Sequence, residues 1–131
     1  MDQLRLLLNL SGRAVGNLEE ALAMPFSGVV RDASIQRFKY SFEVVWKLLK
    51  GHLDRRHGIM CNSPKNCFRE ALGLGLLAQE EVESCLVMTD DRNLTAHTYI
   101  EAVAEQIYRR LPKYLVVMKK LIDGITAQVT I

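Results

Sequence analysis

The chain has 131 residues, of which 49% are apolar and 24% charged, with a formal net charge of +2. This length predicts one domain, residues 1–131, large enough to bury a core. The small net charge does not by itself indicate binding to nucleic acid, so any RNA contact would have to be local. Without a run of about 18 apolar residues, no membrane span is expected.

The first predicted element is a helix over residues 3–23. Its apolar side chains recur every three or four residues, which is the spacing of a helix with one buried face. Proline disfavours helical geometry in the residue before it, so Pro25 predicts the end of this helix. No basic segment precedes the apolar residues, so no signal peptide is expected.

The second predicted helix, residues 30–57, has the clearest apolar repeat. At 1.5 Å per residue it would be roughly 40 Å long, which is typical of the spine of a bundle. We interpret its aromatic side chains as core packing rather than as surfaces for stacking bases. They are Phe38, Phe42 and Trp46.

The remaining elements are shorter. Ser63-Pro64 predicts an N-cap and a first helical residue, followed by a short helix through Leu72 that ends at Gly73 or Gly75. Helical spacing resumes over residues 79–88. A last helix over residues 102–123 is expected to kink at Pro112 and to end at Gly124. The predicted fold is therefore all-α, an up-and-down four-helix bundle with one extra short helix.

The three cysteines form no CxxC pair, and we predict free thiols in a reducing cytoplasm. His52 and His57 precede two of them, but the spacing differs from that of structural zinc sites. No metal site and no cofactor are predicted. The cysteines are Cys61, Cys67 and Cys85.

Residues 90–99 place a cation, an amide, an imidazole and a phenol close together. Arginine binds phosphate through a planar fork of donors, and histidine exchanges a proton near neutral pH. On an unbroken helix Arg92 and His97 would diverge by about 140°. Asn93 and Thr95 compete for backbone hydrogen bonds, so a break is expected that lets Arg92 and His97 grip one phosphate.

The same residues have a plainer interpretation. Asp91 and Arg92 can form a surface ion pair, His97 can lie at a helix end, and Tyr99 can be a half-buried phenol of the core. Spacing alone leaves both interpretations open.

The sequence Arg-Asn-Leu-Thr-Ala-His-Thr-Tyr, residues 92–99, resembles the R-N-x-x-x-H-x-Y motif of the HEPN superfamily. Stretches within residues 31–47 and 63–76 resemble the second and third helices of the nucleotidyltransferase substrate-binding proteins, relatives of the HepT toxins. One position departs from that pattern, because Lys39 stands where the family often has an acid.

The resemblance implies an up-and-down helical bundle that forms a two-fold homodimer, with both motifs near a cleft at the axis. It implies a cytoplasmic toxin that is a metal-independent endoribonuclease, with Arg92, Asn93 and His97 as catalytic residues. It also implies a separately encoded minimal nucleotidyltransferase as antitoxin, which adenylylates Tyr99.

The implied chemistry suits these residue types. Neutral His97 can take the proton of an RNA 2′-OH, Arg92 can stabilise the charge that develops on phosphorus, and Asn93 can orient the phosphate or the imidazole. In a symmetric dimer the second His97 can supply the acid. Arg37, on the basic second helix, is the expected supporting contact to RNA or nucleotide.

Two other functions fit the same sequence. One is a non-catalytic subunit that binds nucleotide, or presents substrate, for a nucleotidyltransferase complex. The other is a helical dimerisation protein without a ligand. A transferase active site is not predicted within this chain, because it has no Gly-Ser turn with metal-binding aspartates on strands.

Overall fold

A computed structural model describes residues 2–129, which form helices and their short connections without any β-strand. Each helix packs against the next one along the chain, and the last also packs against the first two. The predicted all-α bundle with one short helix is thus confirmed. Within these residues no helix combines the length and apolarity needed to cross a bilayer. The helices are α1 (Gln3–Leu22), α2 (Gly28–His57), α3 (Pro64–Gly73), α4 (Gln79–Leu94) and α5 (Glu101–Val129).

The helix ends follow from local sequence. The Ser27 hydroxyl accepts a hydrogen bond from the Val30 backbone N–H at 3.0 Å, which caps α2. Ser63 caps α3 in the same way, with Pro64 in its first turn as predicted. Gly58 ends α2 with a left-handed φ of 65°, which a glycine adopts without steric cost.

The core is centred on α2 and α5. The ring of Phe38 stacks on that of Tyr114 at 5.6 Å between centroids, and Phe42 meets the edge of Phe68 at 6.1 Å. Trp46 is half-buried beside this core, with Lys50 Nζ 5.6 Å from the centroid of its ring. Aromatic packing of this kind fixes α2 against its neighbours, as the apolar repeat predicted.

Two helices extend well beyond their predicted C-terminal ends. α4 continues beyond residue 88 to Leu94, and α5 continues through Pro112 and Gly124 to Val129. Pro112 lies on the exposed side of α5, and the helix passes it without interruption. A Cβ atom at Gly124 would lie 3.3 Å from Leu76 Cδ2. Gly124 therefore allows close packing on Leu76 and does not end the helix.

The prediction of three free thiols was wrong for two of them. Cys61, in the α2–α3 connection, forms a disulfide with Cys67 on α3, and their Cα atoms are 5.4 Å apart. Both cysteines are buried there, and spacing along the chain gave no indication of the pair. Cys85 is free and buried.

Candidate functional site

The motif lies across the end of α4. Arg92 and Asn93 are in the last turn of α4, which ends at Leu94, and a short 3-10 helix covers Thr95–His97. The Arg92 carbonyl oxygen accepts hydrogen bonds from the backbone N–H of Thr95 and, at 2.6 Å, from the Thr95 hydroxyl, which together close the end of α4. The predicted break between Arg92 and His97 is confirmed at this point.

Arg92 projects from α4 towards α2. Its Nη2 donates a hydrogen bond to Oε1 of Glu43, so the two side chains form an ion pair. Arg92 is 35% exposed and Glu43 36% exposed, so the pair lies at the edge of the protein surface. The Arg92 Nε atom is buried and has no hydrogen-bond partner. A guanidinium held in this way keeps N–H groups available for an anion.

His97 and Tyr99 lie together on the surface. Nδ1 of His97 is 3.4 Å from the Tyr99 hydroxyl, and the two ring centroids are 5.9 Å apart. A contact of that length is a weak hydrogen bond. Tyr99 is 80% exposed, which contradicts its interpretation as a half-buried core phenol.

Within residues 2–129, Arg92 and His97 are not hydrogen-bonded to each other. Arg92 contacts Glu43, and His97 contacts Tyr99. Their joint grip on a phosphate stays a prediction. Asn93 is exposed in the last turn of α4, next to Arg92. Arg37 faces α1, where its Nη1 donates to the Asn17 carbonyl oxygen at 2.7 Å. Arg37 is about 120° around α2 from Glu43, so one chain does not place it beside Arg92.

A buried polar cluster lies directly before the motif. Asp91 is 1% exposed and accepts hydrogen bonds from Arg110 Nη1 at 2.8 and 3.0 Å and from the Tyr114 hydroxyl at 2.5 Å. Burial, together with the Asp91 carboxylate, raises the pKa of Tyr114 and keeps its phenol a donor. The cluster fixes α4 against α5 one residue before Arg92.

This cluster was not predicted from the sequence. An ion pair between Asp91 and Arg92 was one interpretation, but Asp91 pairs with Arg110 and Arg92 pairs with Glu43. The signal was present, because Asp91 comes three residues after the buried Met88 on the apolar stripe of α4. A carboxylate on that stripe requires a buried partner.

A second set of charges anchors the other end of the motif. Arg31 on α2 is 9% exposed and donates to Glu101 at 2.5 Å and Glu105 at 3.4 Å, both on α5, and to its neighbour Asp32 at 3.2 Å. The hydrogen bond from Arg31 holds the pKa of Glu101 below its usual range. Since Glu101 comes two residues after Tyr99, this contact fixes the start of α5 beside the motif loop.

The described residues, 2–129, contain no cluster of three or more His, Cys, Asp and Glu side chains placed to hold a metal ion. Cys61 and Cys67 are bonded to each other and so cannot act as thiolate ligands. The Nε2 atoms of His52 and His57 both contact Oε1 of Gln128, at 2.7 and 3.1 Å.

The fold and the sequence together assign this chain to one class of helical-bundle proteins. The chain belongs to the family described as nucleotidyltransferase substrate binding protein like, whose sequence model matches residues 8–127. This match covers α2, α3 and α4 completely and includes the motif.

Known proteins extend the comparison. A protein from Thermus thermophilus has the same fold with a TM-score of 0.85 and 42% identity, over 88% of this chain and 98% of its own. A Haemophilus influenzae protein named probable ribonuclease HepT is 28% identical over 94 residues, which are 69% of this chain and 63% of the relative. The chain therefore spans less than two thirds of the length of that relative.

A third comparison concerns the fold alone. The tri-AMPylated HEPN toxin of Shewanella oneidensis, solved in complex with its MNT antitoxin, has a TM-score of 0.78 and 15% identity. The alignment covers 97% of this chain and 98% of the toxin. The helical bundle described above is thus the fold of that toxin.

Proposed function

We propose that this chain is the toxin-like subunit of a two-gene toxin–antitoxin pair and cleaves RNA with Arg92 and His97. The observation that carries the proposal is the break between α4 and the 3-10 helix, which separates a partly exposed guanidinium from an exposed imidazole by one tight turn. The name of the Haemophilus influenzae relative and the toxin–antitoxin complex from Shewanella oneidensis support the same class.

The proposed reaction uses the 2′-OH of RNA as the nucleophile. His97 takes the proton of that hydroxyl while its oxygen attacks the adjacent phosphorus, and the bond to the 5′ oxygen breaks. Arg92 stabilises the added negative charge, and Asn93 orients the phosphate or the imidazole. The leaving oxygen receives its proton from the second His97 of a homodimer. No metal ion takes part.

Cleavage of RNA by the purified protein in the presence of EDTA tests this proposal. His97→Ala and Arg92→Ala should each lose activity. The matched controls are His57→Ala and Arg109→Ala, which remove exposed side chains of the same types from the ends or faces of other helices. Equal cleavage by His97→Ala and the parent would refute the assignment.

We also propose that a minimal nucleotidyltransferase silences the protein by adenylylating Tyr99. The support is the exposure of this phenol, 80%, next to His97. Incubation with the cognate nucleotidyltransferase, ATP and Mg²⁺ should transfer AMP from ATP to the Tyr99 hydroxyl, with release of pyrophosphate, and should abolish cleavage. Tyr40, which is 59% exposed on α2, is the internal control and should stay unmodified. An unmodified Tyr99 peptide would count against the switch.

The proposed assembly is a cytoplasmic homodimer of one HEPN-like domain, residues 1–131, with the two motifs facing one cleft. Light scattering coupled to size exclusion measures the oligomeric state. Mixing parent with excess His97→Ala subunits tests the shared cleft. Because the proposed reaction needs both copies of His97, the mixed dimer should lose nearly all activity, whereas two independent sites would leave it half that of the parent dimer.

The second candidate is a non-catalytic subunit that binds nucleotide or substrate for a nucleotidyltransferase. The pairing of Arg92 with Glu43 favours it, since a guanidinium already paired with a carboxylate stabilises the negative charge that develops on phosphorus during cleavage less strongly. Calorimetric titration with ATP and AMP separates the two candidates. Nucleotide binding that depends on Arg92, without RNA cleavage by the dimer, would favour this second function.

A further inference from the structure

The contact between Glu43 and Arg92 joins the middle of α2 to the last turn of α4. Glu43 accepts one hydrogen bond from Nη2, whereas Nε is buried without a partner and Nη1 makes no hydrogen bond within residues 2–129. Glu43 therefore engages only one N–H group of the guanidinium. The N–H groups of Nη1 and the second N–H of Nη2 stay available to an anion.

An ion pair at this degree of exposure contributes little to folding, because water screens both charges. Its effect on orientation is larger. An arginine side chain has many rotamers, and fixing one of them before the ligand arrives removes part of the entropic cost of binding it. The contact is thus poorly suited to stabilise the fold and well suited to aim Arg92.

We propose that Glu43 is a positioning residue, which holds the Arg92 guanidinium in the orientation that presents Nη1 and the free edge of Nη2 to the scissile phosphate. This inference rests on the proposed ribonuclease function. It adds a residue of α2 to a site that the motif alone assigns to the end of α4.

The kinetic test compares three substitutions. Glu43→Ala removes the acceptor, and its kcat should fall on the order of tenfold to a hundredfold, since a misplacement of about 1 Å can have that effect. Its KM for RNA should not rise, because an anion near the phosphate has also been removed. Glu43→Gln, whose amide oxygen still accepts the bond, should recover most of the lost turnover, and Glu43→Asp should be intermediate.

Glu70→Ala is the matched control, because it removes an exposed glutamate from α3. If Glu43→Ala and Glu43→Gln both cleaved RNA faster than the parent, Glu43 would be a competitor of the phosphate and the inference would be overturned. Unchanged kcat in Glu43→Ala would overturn it as well.

A second measurement does not require RNA cleavage. The Nε–Hε group of Arg92 is shielded from water, so it should give a resolved NMR signal with the relaxation of an ordered group. Glu43→Gln should keep that signal, whereas in Glu43→Ala its relaxation should become that of a mobile group. Equal order in Glu43→Ala and the parent would overturn the inference. If the parent did not cleave RNA but Glu43→Ala still disordered the Arg92 side chain, only the proposed ribonuclease function would be refuted.

Discussion

The hydroxyl of Tyr114 on α5 donates a hydrogen bond to the carboxylate of Asp91 on α4 across 2.5 Å. Both residues are 1% exposed, and Arg110 supplies the counter-charge to Asp91. Asp91 directly precedes Arg92. The buried contacts of Asp91 with α5 therefore set the rotation of α4 at the residue that reaches towards α2. Changes in this cluster should therefore affect both stability and the aim of Arg92.

Tyr114→Phe should lower the free energy of unfolding by about 1–3 kcal/mol, since it removes a buried hydrogen bond to a charged group and leaves the ring in place. Urea denaturation followed by circular dichroism measures the change. Tyr99→Phe is the control, because the Tyr99 ring is 80% exposed, and its stability should stay within about 0.5 kcal/mol of the parent. Equal losses in the two variants would contradict the role of Asp91.

Because His52 is buried, the protein should lose stability in mild acid. Burial lowers the pKa of His52 below 6.5, although the hydrogen bond to Gln128 opposes this shift. As the pH falls through about 6.5, the unfolded chain binds a proton at His52 that the folded chain resists, so the free energy of unfolding falls. The decrease between pH 7 and 5, measured by urea denaturation, should be smaller in His52→Gln. Parallel curves for the two proteins would rule this explanation out.

The disulfide between Cys61 and Cys67 should contribute to stability by closing a short loop in the unfolded chain. For this sequence separation of 6, the contribution is about 2 kcal/mol. A phosphine reductant should lower the free energy of unfolding of the parent by that amount and leave a Cys61→Ser, Cys67→Ser double variant unaffected. Burial raises the pKa of the Cys85 thiol to about 12, so alkylation of the native parent should label none of its cysteines.

Two helical glycines differ in their surroundings. A Cβ at Gly16 on α1 would meet nothing within 4 Å, so Gly16→Ala should stabilise the protein by about 0.5–1 kcal/mol through helix propensity. At Gly124 the Cβ would press on Leu76 at 3.3 Å, and Gly124→Ala should gain less or lose stability. Thermal unfolding of both variants measures the difference. A larger gain at Gly124 than at Gly16 would contradict the packing described for α5.

Periodicity predicted the helices well, because apolar residues every three or four positions require a buried helical face. The ends were less predictable. Local sequence predicts a stop at Gly124, but tertiary packing on Leu76 determines the role of this glycine. Helix α4 reaches Leu94 because Asp91 finds a buried partner on α5, which no local pattern records.

For the candidate site, the residue types predicted the helix break before His97, since Asn93 and Thr95 compete for backbone hydrogen bonds. The partners of these residues came only from the structure. Glu43 is 49 positions from Arg92 in sequence, and Asp91 is 23 positions from Tyr114. Pairings at such distances depend on how the helices are arranged, and one sequence contains no direct record of that.

The exposure of Tyr99 bears on whether a modified copy of the protein could regain activity. Its ring stands in solvent on the loop between the 3-10 helix and α5, outside the packed interior. A group attached to this phenol would not have to be accommodated by the core, and a hydrolase could reach the new bond without unfolding the chain. Silencing at this position would then be reversible, so that dormant copies could be returned to use without new synthesis.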